Sequence, residues 1–163
     1  MNVKAKTIHN KLVLGRSEWC ELHDLKIPAI RAKIDTGAKT SAIHAENIKP
    51  LKRNGQEYVA FDVYPLQAND KIVISCCKPI IDERYIMSSN GHKERRWVIE
   101  TRLSLGGEQW PIELTLSNRD PLKFRLLLGR EALSQRALVD PGIAYHQLKL
   151  SPLAAKKLYR KQR

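Results

Sequence analysis

The sequence predicts an all-β fold with one or two short helices, on three observations. Apolar and polar residues alternate with period two through most of the chain, glycine-bearing turns separate the alternating runs, and helix-forming stretches are few. Period two places every second side chain on one buried face. Ile30, Ala32 and Ile34 alternate with Arg31 and Lys33, Val59, Phe61 and Val63 with Ala60 and Asp62, and Ile72, Ile74 and Cys76 follow the same rule. Trp97, Ile99, Thr101 and Leu103 lead into Gly106-Gly107, and Trp110, Ile112, Leu114 and Leu116 lead out, which is a hairpin. Asn90-Gly91 lies between Tyr85-Ile86-Met87 and Trp97-Val98-Ile99 and marks a second hairpin tip, because that dipeptide accepts positive φ angles. Arg130 to Ala137 is dense in helix formers. Ser151-Pro152 supplies an N-cap and first-turn proline for a last helix over Leu153 to Lys161.

A length of 163 residues predicts a single domain, 1–163, and the 42% hydrophobic and 28% charged content is that of a folded chain with a modest core. The net charge of +12 favours polyanionic or acidic partners: nucleic acid, a ribosomal surface or a glutamate-rich peptide. The charge is uneven, since Lys149, Lys156, Lys157, Arg160, Lys161 and Arg163 all follow the last acid, Asp140. The apolar run Leu126-Leu127-Leu128 falls far short of the ~18 residues a membrane span needs. Met1 to Leu14 lacks the apolar core of a secretory signal, and Cys20, Cys76 and Cys77 make no disulfide framework. A cytoplasmic protein without a membrane partner is expected.

The chemistry-bearing segment is Ala32-Lys33-Ile34-Asp35-Thr36-Gly37-Ala38, an amphipathic strand ending in an acid, a hydroxyl and a glycine. Gly37 permits close backbone approach, and nearby amides can donate to the carboxylate. On those residues alone, an Asx-type turn closing a strand explains as much. Further on, Phe124 to Arg130 reads as an apolar strand ending in Gly-Arg and entering a short helix. The five histidines offer no His-Glu-x-x-His and no pair at i, i+4, while Cys76-Cys77 lacks metal-site spacing and reads as buried strand cysteines. Gly37 to Ser41 lacks the leading glycine and residue order of a phosphate loop. His44, three residues after Ser41 on a strand, faces away from it and reads as structural. No metal and no cofactor is expected.

In order, Asp35-Thr36-Gly37-Ala38, a glycine-tipped hairpin and Leu127-Leu128-Gly129-Arg130 before a helix form the pattern of retropepsin-like aspartic proteases, which this sequence resembles. The longer strings Lys33 to Ala45 and Leu126 to Leu133 resemble a bacterial branch that carries the label ATP-dependent zinc protease. Its members are associated with ATP-grasp ligases that append glutamates to a ribosomal protein. The resemblance covers Val13 to Tyr145 and leaves 146–163 as a basic extension. It implies a closed acid-protease barrel, with Asp35 as the catalytic residue and Thr36, Gly37 and Ala38 as active-site loop and dimer contact. It also implies Lys39, Asn90 and Gly91 at the substrate groove, and Leu128, Gly129 and Arg130 as the supporting motif.

Aspartic hydrolysis of a peptide needs two carboxylates sharing a proton. The second local candidate, Asp140-Pro141-Gly142, lacks the hydroxyl and has proline where an amide donor is wanted. The pair is therefore expected from two copies of Asp35 in a homodimer. In the retroviral pattern an acid follows this run and pairs with the arginine of the Gly-Arg motif; here that position is Lys39. Arg130 then pairs with Glu131 or Asp140, or the loop is built differently. Lys39 near the groove would suit acidic side chains. Residues Ser88 to His92 are expected to form a flap, and the C-terminal helix to dock through Leu153, Ala154 and Leu158 while its cations attract an acidic partner. The expected function is an aspartic endopeptidase acting on a peptide or protein, with an acidic, glutamate-modified ribosomal protein as substrate. The competing readings are a noncatalytic RNA- or ribosome-binding barrel and a metallohydrolase.

Overall fold

A computed structural model describes residues 5–67, 69–87, 90–118 and 123–162. Along the chain run β1 (Thr7–Ile8), β2 (Lys11–Leu14), β3 (Ser17–Leu22), a 3-10 turn (His23–Leu25), β4 (Ile27–Ile34), β5 (Ser41–His44), β6 (Glu46–Arg53) and β7 (Gln56–Val63). They are followed by β8 (Ile74–Pro79), β9 (Asp82–Met87), β10 (Lys93–Leu105), β11 (Glu108–Ser117), β12 (Leu126–Leu128), α1 (Arg130–Leu133), β13 (Ala137–Val139) and α2 (Pro152–Arg160). The main sheet runs β11-β5-β12-β4-β3-β10, and β10 pairs again with β11, so these strands form a ring; β9 extends β10 beyond it. Two smaller sheets, β1-β2-β13 and β6-β7-β8, flank the ring.

The alternation read from the sequence is realised in the ring. Ile30, Ala32 and Ile34 of β4 are buried, as are Leu103, Leu114, Leu126 and Leu128, and Val59, Phe61 and Val63 close the core from β7. Leu105 pairs with Glu108 across Gly106 and Gly107, whose φ values of 60° and 80° are the left-handed pair of a tight two-residue hairpin. Ile72 packs against the core but lies ahead of β8 rather than within it.

Two helix expectations are corrected. The helix expected over Arg130 to Ala137 stops at Leu133, because Gln135 turns left-handed at φ 64° and Ala137 begins β13, in parallel register with Leu12. Strand pairing there satisfies backbone groups that a longer helix would have kept. The last helix does form, capped by Ser151 Oγ accepting from Ala154 N at 3.1 Å, but Leu153 is 60% exposed. Its docking face is Ala155 and Tyr159, with Leu158 half-buried, and the Tyr159 hydroxyl donates to the Ala29 carbonyl of β4. The basic extension is thus packed onto the ring. Among the described residues no helix is long and apolar enough to cross a membrane.

One buried acid ties the end of the chain to its beginning. Glu18 is inaccessible, and its carboxylate accepts from the backbone N–H groups of Gly15 (2.7 Å), His146 (3.1 Å) and Gln147 (3.1 Å). Three amide donors compensate the cost of burying that carboxylate. Gly15 fits because a Cβ there would stand 2.4 Å from the Ile143 carbonyl oxygen. Arg16 N donates to Ile143 O and Ile34 N to Arg16 O, so this clasp reaches the last residue of β4.

Candidate active site

Asp35 follows β4 directly, and its N–H donates to Leu128 O at 2.9 Å, the last rung between β4 and β12. The chain then turns: Asp35 Oδ1 accepts from Gly37 N at 3.0 Å, and Ala38 N donates to Asp35 O at 3.2 Å. The Asx turn therefore exists, and it orients the carboxylate rather than competing with a chemical role. Oδ2 makes no hydrogen bond among the described residues. Asp35 and Ala38 are half-buried, while Thr36, Gly37 and Lys39 are exposed.

A second turn is laid across the first. Gly129 passes so close that a Cβ would meet the Thr40 carbonyl oxygen at 2.7 Å and that of Ala38 at 2.9 Å, so glycine is required for contact, not for φ. Arg130 N donates to Ala38 O (2.8 Å) and Glu131 N to Lys39 O (3.1 Å), so the acid loop's carbonyls accept the first free N–H groups of α1. Arg130 Nη1 donates to Thr36 O at 2.9 Å, so the arginine finds neither Glu131 nor Asp140 and the loop is built differently, on a backbone carbonyl. Glu131 lies 3.9 Å from Lys39 Nζ instead, an exposed pair worth little. Asp140 is taken by His146 Nε2 at 2.8 Å; that contact, with the Gly142 amide, holds its carboxyl below the usual carboxylate range.

Sequence reasoning missed three supporting residues. Ser41 Oγ accepts from Gly129 N at 3.0 Å, Thr115 Oγ1 donates to Ser41 O at 3.1 Å, and the buried Arg96 reaches Thr115 Oγ1 at 3.4 Å. This chain of contacts links the hairpin of β9 and β10 to the loop beneath. Its only sequence signal is Ser41, a polar residue in phase with the apolar Ile43; Thr115 is buried although the period-two pattern of β11 puts it on the other face. The hairpin's connection runs through 88–92, with Asn90 exposed in a turn and Gly91 left-handed at φ 78°. Ser88 and Ser89 of the expected flap lie outside the described residues.

A cavity of about 300 Å³ lies against the end of β4, bordered by Arg16, Arg31, Lys33, Ile34, Lys123 and Phe124. Arg31 and Lys33 precede Asp35 by four and two residues, so strand period aligns them on one side at intervals of roughly 6.6 Å. Arg31 is held in place: Nη1 donates to Tyr145 Oη at 3.3 Å, Nη2 to Gln67, and its guanidinium lies 4.8 Å from the Phe124 ring centre.

The described residues do not fit a zinc site. They contain no group of three or more His, Cys, Asp or Glu able to hold a metal ion. His44 Nε2 lies 3.8 Å from Glu46, and Cys76 and Cys77 are adjacent residues of β8 without metal-site spacing.

A ring of strands whose acid-hydroxyl-glycine turn is crossed by a Gly-Arg turn entering a short helix has the retropepsin-like architecture. The chain belongs to the RimB-like family, described as retropepsin-like aspartic endopeptidase RimB, whose model matches residues 13–149. It is 46% identical over 150 residues to a probable alpha-L-glutamate ligase of Shewanella pealeana, covering 92% of this chain and 33% of that protein. A protein of the same description from Desulfotalea psychrophila is 47% identical over 152 residues, again 33% of its length. The chain thus spans about a third of these curated relatives. The crystal structure of Lpg0085 from Legionella pneumophila, a protein of unknown function, superposes with a TM-score of 0.69 at 28% identity, covering 82% of this chain and 96% of that one.

Proposed function

We propose that the chain is an aspartic endopeptidase that works as a homodimer on acidic peptides in the cytoplasm. The observation that carries this reading is the Asp35 turn, with one carboxylate oxygen fixed by Gly37 N, the other without a partner among the described residues, and Thr36 and Gly37 exposed beside it. Two such turns meeting across a two-fold axis put two carboxylates and one proton around a single water. The ionised Asp35 takes a proton from that water as its oxygen bonds to the peptide carbon. The protonated Asp35 of the second copy gives its proton to the carbonyl oxygen. Breakdown of the tetrahedral adduct cleaves the C–N bond, the amine leaves with a proton from the dyad, and the carboxyl product forms.

The substrate class is argued from charge. Arg31 and Lys33 form a cationic row on the approach to Asp35, with Arg16 and Lys123 beside them. An extended peptide presents alternate side chains at nearly the same interval, so every second glutamate of an acidic run would meet successive cations. The relatives named as glutamate ligases carry this region within longer chains, which supports a substrate made by glutamate addition, such as a glutamate-tailed ribosomal protein.

The test is mass spectrometry of such a tailed protein after incubation with the wild type and with Asp35→Asn. Loss of a glutamate-containing segment with the wild type alone, and specific activity that falls on dilution below the dimer dissociation constant, is the expected outcome. Equal cleavage by both proteins, or full activity in a monomer, overturns the proposal.

A further inference from the structure

The end of β4 remote from Asp35 carries a second cationic feature. A cavity of about 450 Å³ opens between α2, the segment entering β8 and the turn before β4. Lys26 borders it from that turn, Lys71 from the approach to β8, and Lys156 and Arg160 from one face of α2 at i, i+4 spacing. No carboxylate lines it, and none of the four cations forms an ion pair among the described residues. Of the acids close by, Asp24 is paired with Arg102, while Asp62 reaches the lining residue Ser75 and is one negative charge against the four cations. Asp70, next to Lys71 in the chain, is not among the lining residues.

Two of the three segments are tied to the fold by hydrogen bonds. Lys26 sits at φ 57° with its N–H donating to His23 O at 3.1 Å, and α2 is anchored by the Ser151 cap, the Tyr159–Ala29 hydrogen bond and the buried Ala155. Four like charges around one volume, against the one nearby carboxylate of Asp62, leave a positive potential that an anion would relieve.

We propose that this cavity, with Lys157 of α2 and Lys161 just past its end beside it in the chain, binds the phosphodiester backbone of a structured nucleic acid. The geometry favours phosphate over a glutamate chain. Three separate segments bring their cations around one compact volume, which suits a group with several acceptor oxygens. A glutamate strand would instead need a linear row like that leading to Asp35. The ring of Tyr159 is buried with its hydroxyl engaged, leaving no exposed aromatic at the cavity for base stacking, so the contacts are sequence-independent. Tyr159 holds Ala29, six residues and roughly 20 Å of strand from Asp35, so a ligand here leaves the groove open. The proposal is independent of the peptidase reading.

The experiment is fluorescence anisotropy of the full chain with a labelled RNA hairpin and a DNA hairpin of the same stem, between 0.05 and 0.3 M KCl on the order of those used for such titrations. Unlabelled polyglutamate of equal charge is the competitor. Binding of either hairpin with a log–log salt slope of about −3 to −4, the value for four neutralised phosphates, is expected. Replacing Lys26, Lys71, Lys156 and Arg160 together by Gln should weaken binding at least about tenfold and flatten the slope by about 3. Lys156→Glu with Arg160→Glu, confined to the exposed face of α2, tests the same point should the fourfold variant fail to fold by circular dichroism. Absence of hairpin binding, affinity unchanged in both variants, or displacement by polyglutamate as effective as by hairpin overturns the proposal, the last in favour of an acidic protein.

Discussion

The two ends of β4 solve opposite problems. At the Asp35 end a single acid is held by backbone groups: Gly37 N on its carboxylate, Leu128 O on its amide, and the Gly129 crossing beneath. At the Lys26 end four cations gather with no partner among the described residues and only the helix anchors beneath them. Geometry at the first end is all or nothing, since moving one strand rung displaces the acid. Charge at the second end is additive and graded. Substitutions should therefore act as steps at one end and as slopes at the other.

The largest step is expected from Asp35→Asn, which keeps the shape and removes the proton chemistry. Turnover should fall about a thousandfold, within the range for loss of a general acid or base, while the melting temperature holds. A smaller loss in a folded dimer would place the acid elsewhere and erase the contrast. Next comes Glu18→Ala, which leaves the buried Gly15 N–H and the part-buried N–H groups of His146 and Gln147 without their acceptor. It should cost about 2 kcal/mol in urea unfolding, since an orphaned buried donor carries about 1–3 kcal/mol and the part-buried ones recover water. Gly129→Ala should follow at about 1–3 kcal/mol with loss of turnover, because its methyl group overlaps two carbonyl oxygens.

The smallest effect concerns pH. Hydrogen bonds from Arg102 hold the Asp24 carboxyl down at about 2, below its unfolded value near 3.9. The contribution is present above pH ~4 and is lost as pH falls through about 2. Acid titration of stability should thus show a slightly shallower loss over that window in Asp24→Asn than in the wild type, the pair being too exposed for more.

The ring's strands were legible because one-sided burial writes itself as period two, and the Gly106-Gly107 hairpin because its backbone demands glycine. Asp35, Gly37 and Gly129 were legible as motif residues for the same steric reason. Arg130 was not, since a guanidinium serves a carbonyl as well as an acid and composition does not say which. Glu18 escaped notice because a buried carboxylate satisfied by amides of residues 146 and 147 leaves no local pattern. The docking face of α2 was misjudged because Leu153 is the more apolar residue, whereas a tyrosine hydroxyl reaching Ala29 set the helix's rotation.

The clasp on Glu18 also bears on how the protein folds. Its acceptor precedes two of its three donors, His146 and Gln147, by 128 and 129 residues. Until that later segment folds back, the Glu18 carboxylate can keep its water, and burying it becomes favourable only when amides replace that water. Burial of Glu18 is therefore a long-range event, and without the two distant amides its carboxylate would keep only that of Gly15.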